Sequence, residues 1–262
     1  MDEPTIRSRT HPVLKQLGAV RAGREPGLVV LEGERLVRDA LASGVVLEHL
    51  LVSERREEWA REWAAAGVVP RLVDDDVLAQ RSSLERSPGV IALARVPRSR
   101  TVDELPLDPN AFVLAIAGVG DPGNLGALAR CAEALGARAV AVARGGCSPW
   151  NEKALRGSMG SLLRLPLVHD VDASALARSL TKRGARHLLA ATRGGVGVEE
   201  LGARTAPTVL WVGGETGEDP KLGVECERVT LPMSGAAESL NVAVAAALLM
   251  WELGRASRER RA

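Results

Sequence analysis

The chain of 262 residues has no tyrosine, one phenylalanine and five tryptophans, so there is little material for aromatic platforms on which nucleic-acid bases stack. Its three cysteines, Cys131, Cys147 and Cys226, form no CxxC pair; neither a disulfide framework nor a zinc site is suggested. The four histidines (His11, His49, His169, His187) are equally isolated, and no metal is expected. Only Lys15, Lys153, Lys182 and Lys221 are lysines among 34 basic residues. The arginines that dominate carry a planar fork suited to phosphate. With 33 acidic residues against them, net charge says nothing about partners. The absence of a Walker GxxxxGK[ST] argues against a nucleoside triphosphate. No apolar run approaches the roughly 20 residues that span a bilayer, and the N-terminus is charged and polar rather than signal-like. The expectation is a soluble, reducing, cytoplasmic protein with no membrane association.

What is present is an alternation of short apolar runs and helical patterns. Residues 7–24 hold Arg7, Arg9, Lys15, Arg21 and Arg24 with no acid between them, either a solvated helical face or a phosphate-contacting arm. Strands are expected at 28–31, 47–52 and 90–96, and helices at 34–42, 54–66 and 73–80. These make an α/β unit over residues 1–100, with Arg81, Arg86, Arg95, Arg98 and Arg100 around its last strand. Residues 101–110, polar and proline-containing, read as a linker. Over residues 111–262 the alternation is clearer, and implies a largely parallel sheet covered on both faces. Ligands then bind in loops leaving the carboxyl ends of strands. Three such loops stand out: 118–124 (GVGDPGN), 213–220 (GGETGEDP) and 232–239 (PMSGAAES).

Gly118, Gly120 and Gly123 spell GxGxxG between a strand and a helix. Two features argue against a dinucleotide site: Pro122 precedes the third glycine, and the next strand ends without the acidic ribose acceptor. Asn124 reads as the cap of the following helix, which carries Arg130. The stretch 231–253 is apolar on all sides of its second half, as expected of a buried core helix. Its mouth nevertheless carries Glu238, Ser239 and Asn241, polar groups that need caps, partners or a ligand.

The segments DPGNLGALARCAEALGA (121–137), VGGETGED (212–219) and LPMSGAAESLNVAVAAALLMWE (231–252) resemble, in order and spacing, the three motifs of the SpoU (TrmH-type) RNA ribose 2′-O-methyltransferases of the SPOUT superfamily. The segment 153–167 and the N-terminal half resemble the family too, the latter as an RNA-binding domain of ribosomal-protein type. The resemblance implies a small α/β substrate-binding domain followed by a SPOUT α/β domain. The parallel sheet of the latter would be threaded into a deep trefoil knot, an exception to the rule against knotting. It implies S-adenosylmethionine as methyl donor and a homodimer through the C-terminal domain. Thr192, Gly213, Gly214, Leu231, Met233 and Leu240 are expected at the cofactor, and Asn124, Arg130, Glu215, Ser239 and Asn241 in the polar site. Arg7, Arg9, Lys15, Arg21, Arg24, Arg86 and Arg156 are the candidate RNA contacts. A separate N-terminal domain favours large-subunit (23S) ribosomal RNA, with antibiotic resistance among the roles implied. A transfer-RNA methyltransferase and a non-catalytic RNA-binding or ribosome-assembly factor are the alternatives.

Overall fold

The structure, a computed structural model, describes residues 4–201, 206–213, 219–236 and 238–259, with side chains through Arg255. It divides into two compact units, Met1–Pro97 and Arg98–Ala262.

The first unit runs α1 (Pro12–Arg21), β1 (Leu28–Glu32), α2 (Glu34–Ala42), β2 (Leu47–Ser53), α3 (Glu57–Ala65), β3 (Pro70–Val73), α4 (Asp75–Ala79) and β4 (Val90–Arg95). Its sheet has the order β1-β4-β2-β3. β4 is antiparallel to both β1 and β2, and β3 is parallel to β2. The basic stretch near the N-terminus is neither a free arm nor a fully solvated helix. Pro12 opens α1, where a missing N–H costs nothing, and Val13, Leu14 and Leu17 are buried in the core with Val30, Leu51, Ile91 and Leu93. The helix expected from Val73 starts later. Residues 70–73 form an edge strand, where a leading proline is tolerated, and the Asp74 carboxylate then accepts the N–H groups of Asp76 and Val77 to start α4.

The second unit contains β5 (Phe112–Ile116), α5 (Pro122–Ala134), β6 (Ala139–Ala143), α6 (Glu152–Gly157), α7 (Ser161–Arg164), β7 (Leu167–Val171), α8 (Ala173–Lys182), β8 (Arg186–Ala190), β9 (Val196–Gly197), β10 (Thr208–Val212), β11 (Glu227–Thr230) and α9 (Val242–Glu259). Its seven strands lie in the order β7-β6-β5-β10-β8-β11-β9, and every pairing is parallel. The central strands β5, β6 and β10 are buried along their whole length, as a parallel sheet packed on both faces requires. Residues 101–110 belong to this unit rather than forming a free linker. Leu105 is 1% exposed within its core, and the Arg183 guanidinium donates to the carbonyls of Val102 and Leu105. Beneath the sheet, Trp211 Nε1 donates to His187 Nδ1 at 2.9 Å. The imidazole proton therefore sits on Nε2, facing the Thr181 hydroxyl, which donates on to the Ala177 carbonyl. His187 is thus a satisfied core histidine.

α9 departs from the expectation of a fully buried helix. Ala243, Ala246, Leu249, Met250 and Leu253 face inward, each large apolar side chain contributing about 1.5–3 kcal/mol. Val244, Leu248 and Trp251 stand 49%, 46% and 50% exposed. The helix has two apolar faces, and a single copy of the chain covers one. Among the described residues, no helix is long and apolar enough to cross a membrane.

Candidate active site

The carboxyl ends of β8, β10 and β11 and the first turns of α9 enclose a cavity of about 430 Å³, within the range of small-molecule sites. Thr192, Gly213, Leu231, Met233 and Leu240, expected at the cofactor from sequence, all line it, together with Ser239 and Asn241. Gly214 and Glu215 lie outside the described residues. The floor is Val212, Ala245, Ala246 and Leu249, and small residues at Ala190, Ala191 and Gly213 leave backbone open to the space. Arg228 and Asp219 pair with each other in the wall. Arg228 also donates to the carbonyls of Arg193 and Gly194. Sequence reasoning missed this pair, because nothing local ties a loop acid to an arginine on the next strand.

The polar groups at the mouth are organised by two helix starts. Asn241 caps α9: its Oδ1 accepts from Ala243 N at 2.9 Å and from Val244 N at 3.4 Å. Its Nδ2 donates to Asn124 Oδ1 at 3.0 Å. Asn124 itself lies in the first turn of α5 rather than capping it. The cap is Asp121, whose Oδ1 accepts from Asn124 N at 2.9 Å. Pro122 opens the helix at its first position instead of barring it, a place where proline is favoured. The N-termini of α5 and α9 are therefore stitched together through two asparagines that sit 117 residues apart. Capping and pocket lining coexist in Asn241.

In and around the loop GVGDPGN, Gly123, Gly126 and Gly146 have packing reasons, whereas Gly120 has open space about it. A Cβ on Gly123 would lie 2.8 Å from Asp121 Oδ1 and 3.2 Å from Lys153 Cε. One on Gly126 would lie 2.5 Å from the Ala154 carbonyl oxygen, so α5 and α6 meet backbone to backbone. One on Gly146 would strike the Val119 carbonyl at 2.7 Å. Gly123 makes room for a lysine and a carboxylate, not for a pyrophosphate.

Arg130 is exposed on α5. Six residues after Asn124, it points about 120° away from it around a helix of 3.6 residues per turn. It does not line the cavity, and among the described residues it has no hydrogen-bond or ion-pair partner. Arg156, on α6, faces Glu152 at 3.8 Å. Of the N-terminal candidates, Arg9, Lys15, Arg24 and Arg86 are exposed, and Arg7 is exposed but paired with Glu54 and Asp74. Arg21 is an internal anchor. It meets the buried Glu32 carboxylate at 3.2 Å and the Arg81 carbonyl, while Glu32 also receives Ser82, Ser83 and the Ser83 backbone N–H.

Residues 111–251 match the model of the SpoU rRNA methylase family, and residues 3–107 match that of the thiostrepton-resistance methylase N terminus. The chain is 31% identical, over 91% of its length and 93% of the relative's, to the 23S rRNA (guanosine(2553)-2′-O)-methyltransferase RlmP of Bacillus subtilis. Among solved structures it resembles the SpoU methyltransferase AviRb from Streptomyces viridochromogenes in complex with AdoMet. There the TM-score is 0.82 and the identity 27%, covering 95% of this chain and 98% of that one. An AdoMet-bound rRNA methyltransferase from Sinorhizobium meliloti aligns with a TM-score of 0.85 at 25% identity, over 97% and 98% of the two chains. Matched along both units and over the segments that line its cavity, the chain belongs to the SpoU rRNA methylase family.

Proposed function

We propose that this protein transfers a methyl group from S-adenosylmethionine to a ribose 2′-hydroxyl of large-subunit (23S) ribosomal RNA. The observation that carries the reading is the cavity at the carboxyl edge of the parallel sheet, lined by residues of the second and third motif segments and tied by Asn241 to the first. Its composition suits that donor. Small residues admit a flat ring against backbone, apolar side chains flank it, and the Arg228–Asp219 pair in the wall is internally satisfied. Among the described lining residues a triphosphate would find no excess positive charge.

S-adenosylmethionine, when bound, supplies an electrophilic methyl group on a sulfonium sulfur. The chain's part is to hold ribose and donor in line, a positioning effect that can dominate the rate. Thr192, Ser239 and the fixed Asn241 amide offer the polar contacts. Arg130 is a poor general base, because a guanidinium pKa lies above about 12. Its role in this reading is to grip the neighbouring phosphate and stabilise charge developing on the 2′ oxygen, the kind of electrostatic help that is usually the largest catalytic contribution. Glu215, outside the described residues, is assigned to the same polar site by the motif resemblance alone. RNA recognition falls to exposed basic residues of the first unit, Arg9, Lys15, Arg24 and Arg86 together with the paired Arg7, and, within the second unit, to Arg156.

The same reading includes the trefoil knot and homodimerisation. The exposed stripe of Leu240, Val244, Leu248 and Trp251, spaced along one face of α9 and its entry, supports a second copy packing there. The test is to map ribose methylation on total RNA from cells with and without the protein. A 23S ribose methyl group that vanishes with the protein is the expected result. One that vanishes only from transfer RNA, or none at all, overturns the reading.

A further inference from the structure

Lys153 is one of four lysines in a chain whose other basic residues are arginines, and it stands at the start of α6 beside the first motif loop. Its Nζ meets Asp121 Oδ2 at 2.8 Å, and its stem crosses Gly123, whose missing side chain leaves the passage open. The other oxygen of Asp121 accepts from Asn124 N. Asn124 Oδ1 accepts from Asn241 Nδ2, and Asn241 Oδ1 caps α9 at the cavity wall. A continuous line of polar contacts therefore runs from α6 through the start of α5 to the start of α9. Each link sets the next: the lysine fixes the rotamer of Asp121, the carboxylate fixes the first turn of α5, and that turn presents the Asn124 oxygen. Burial explains none of it, since Lys153 and Asp121 side chains are 59% and 39% exposed. Gly123 keeps room for the Asp121 cap as well as for the lysine, but an exposed ion pair of this kind contributes little to stability, so folding does not account for the Lys153 contact.

We propose that Lys153 is a positioning residue of the methyl-transfer site, acting through Asp121 and Asn124 to hold Asn241 at the cavity mouth. The proposal rests on the methyltransferase reading for its activity readout and on the geometry alone for its spectroscopic one. The Lys153 ammonium and the Asn124 N–H hold the Asp121 carboxyl below its ordinary range, so the charged form that makes both contacts persists at neutral pH.

The experiment compares wild type with Lys153→Met, Lys153→Arg, Asp121→Asn and the Met/Asn double variant, using labelled S-adenosylmethionine and deproteinised 23S ribosomal RNA as the probe. Lys153→Met should lower kcat about tenfold, since small displacements at a transfer site are costly. Its KM for RNA should stay within about twofold, the pattern of lost transition-state rather than ground-state interaction. Its Tm should move by no more than about 2 °C, in keeping with an exposed pair. Lys153→Arg should recover most of the rate. The double variant should be no worse than the poorer single one, because two residues on one line do not act independently. In ¹⁵N NMR of the free protein, the Asn241 side-chain amide signals should shift in Lys153→Met. A raised KM with kcat intact would make Lys153 a direct phosphate contact, and independent losses in the double variant would separate it from Asp121. Either result, unchanged kinetics, or a motionless Asn241 amide would overturn the proposal. If wild type transfers no methyl group to any RNA, the function reading fails, and the amide signals still decide whether the line of contacts is real.

Discussion

The two units use the same chemistry, a carboxylate or amide oxygen accepting N–H groups at the start of a turn, to different ends. In the first unit it is sealed. The Glu32 side chain, at the end of β1, is buried and gathers Arg21, Ser82 and Ser83, fixing the loop between α4 and β4. In the second unit it is open. Asp121, Asn124 and Asn241 stand where α5 and α9 begin, and Asn241 borders a cavity. A polar cluster closed on itself contributes architecture, whereas one of the same kind at the rim of an apolar cavity is available to a ligand. Residue type alone does not separate the two cases.

The sharpest way to break the comparison is Glu32→Ala. Removing one partner of a buried charge pair costs about 3–5 kcal/mol, so the first unit should lose that much in a denaturant titration, with amide exchange rising at Ser82 and Ser83. Affinity of the second unit for S-adenosylmethionine should not change. Asn241→Ala should come next. It removes two cap contacts and the bridge to Asn124. Methyl transfer should fall about a hundredfold, with a stability loss of about 0.5–2 kcal/mol from the cap.

Trp251→Glu should leave the stability of a single copy within about 0.5 kcal/mol, as expected for an exposed position. It should nevertheless convert a dimer to a monomer in sedimentation velocity. A monomeric wild type would reassign that face. The smallest effect concerns His187, whose burial lowers its pKa below the ordinary value near 6.5. The unfolded chain then takes up the proton first. Stability should be full above about pH 6.5 and decline as pH falls below it, and a His187→Gln variant should flatten that part of a Tm–pH profile.

Much of the site was legible because it is local. The stretch 231–241 combines a strand end, a small-residue loop and a helix cap, and Leu231, Met233, Ser239, Leu240 and Asn241 all reach the cavity. What joins segments was not legible. Asp121 with Lys153 and Asn124 with Asn241 are 32 and 117 residues apart, and no periodicity links them. Helix counting also fails to separate a buried face from one awaiting a partner, which is why α9 reads as wholly buried while Leu248 and Trp251 are half exposed. β3 was missed because four residues beginning with Pro70 carry too little alternation, and strand pairing with β2 decides their conformation. The dinucleotide-like glycines were correctly discounted, but for one wrong reason: Pro122 starts α5.

The most direct test of the account is isothermal titration calorimetry of the full chain with S-adenosylmethionine. The expected result is saturable binding that Ala245→Phe, by filling the cavity beside Leu249, abolishes and that Glu32→Ala leaves intact. Absence of binding with or without RNA, or binding indifferent to a filled cavity, would contradict it.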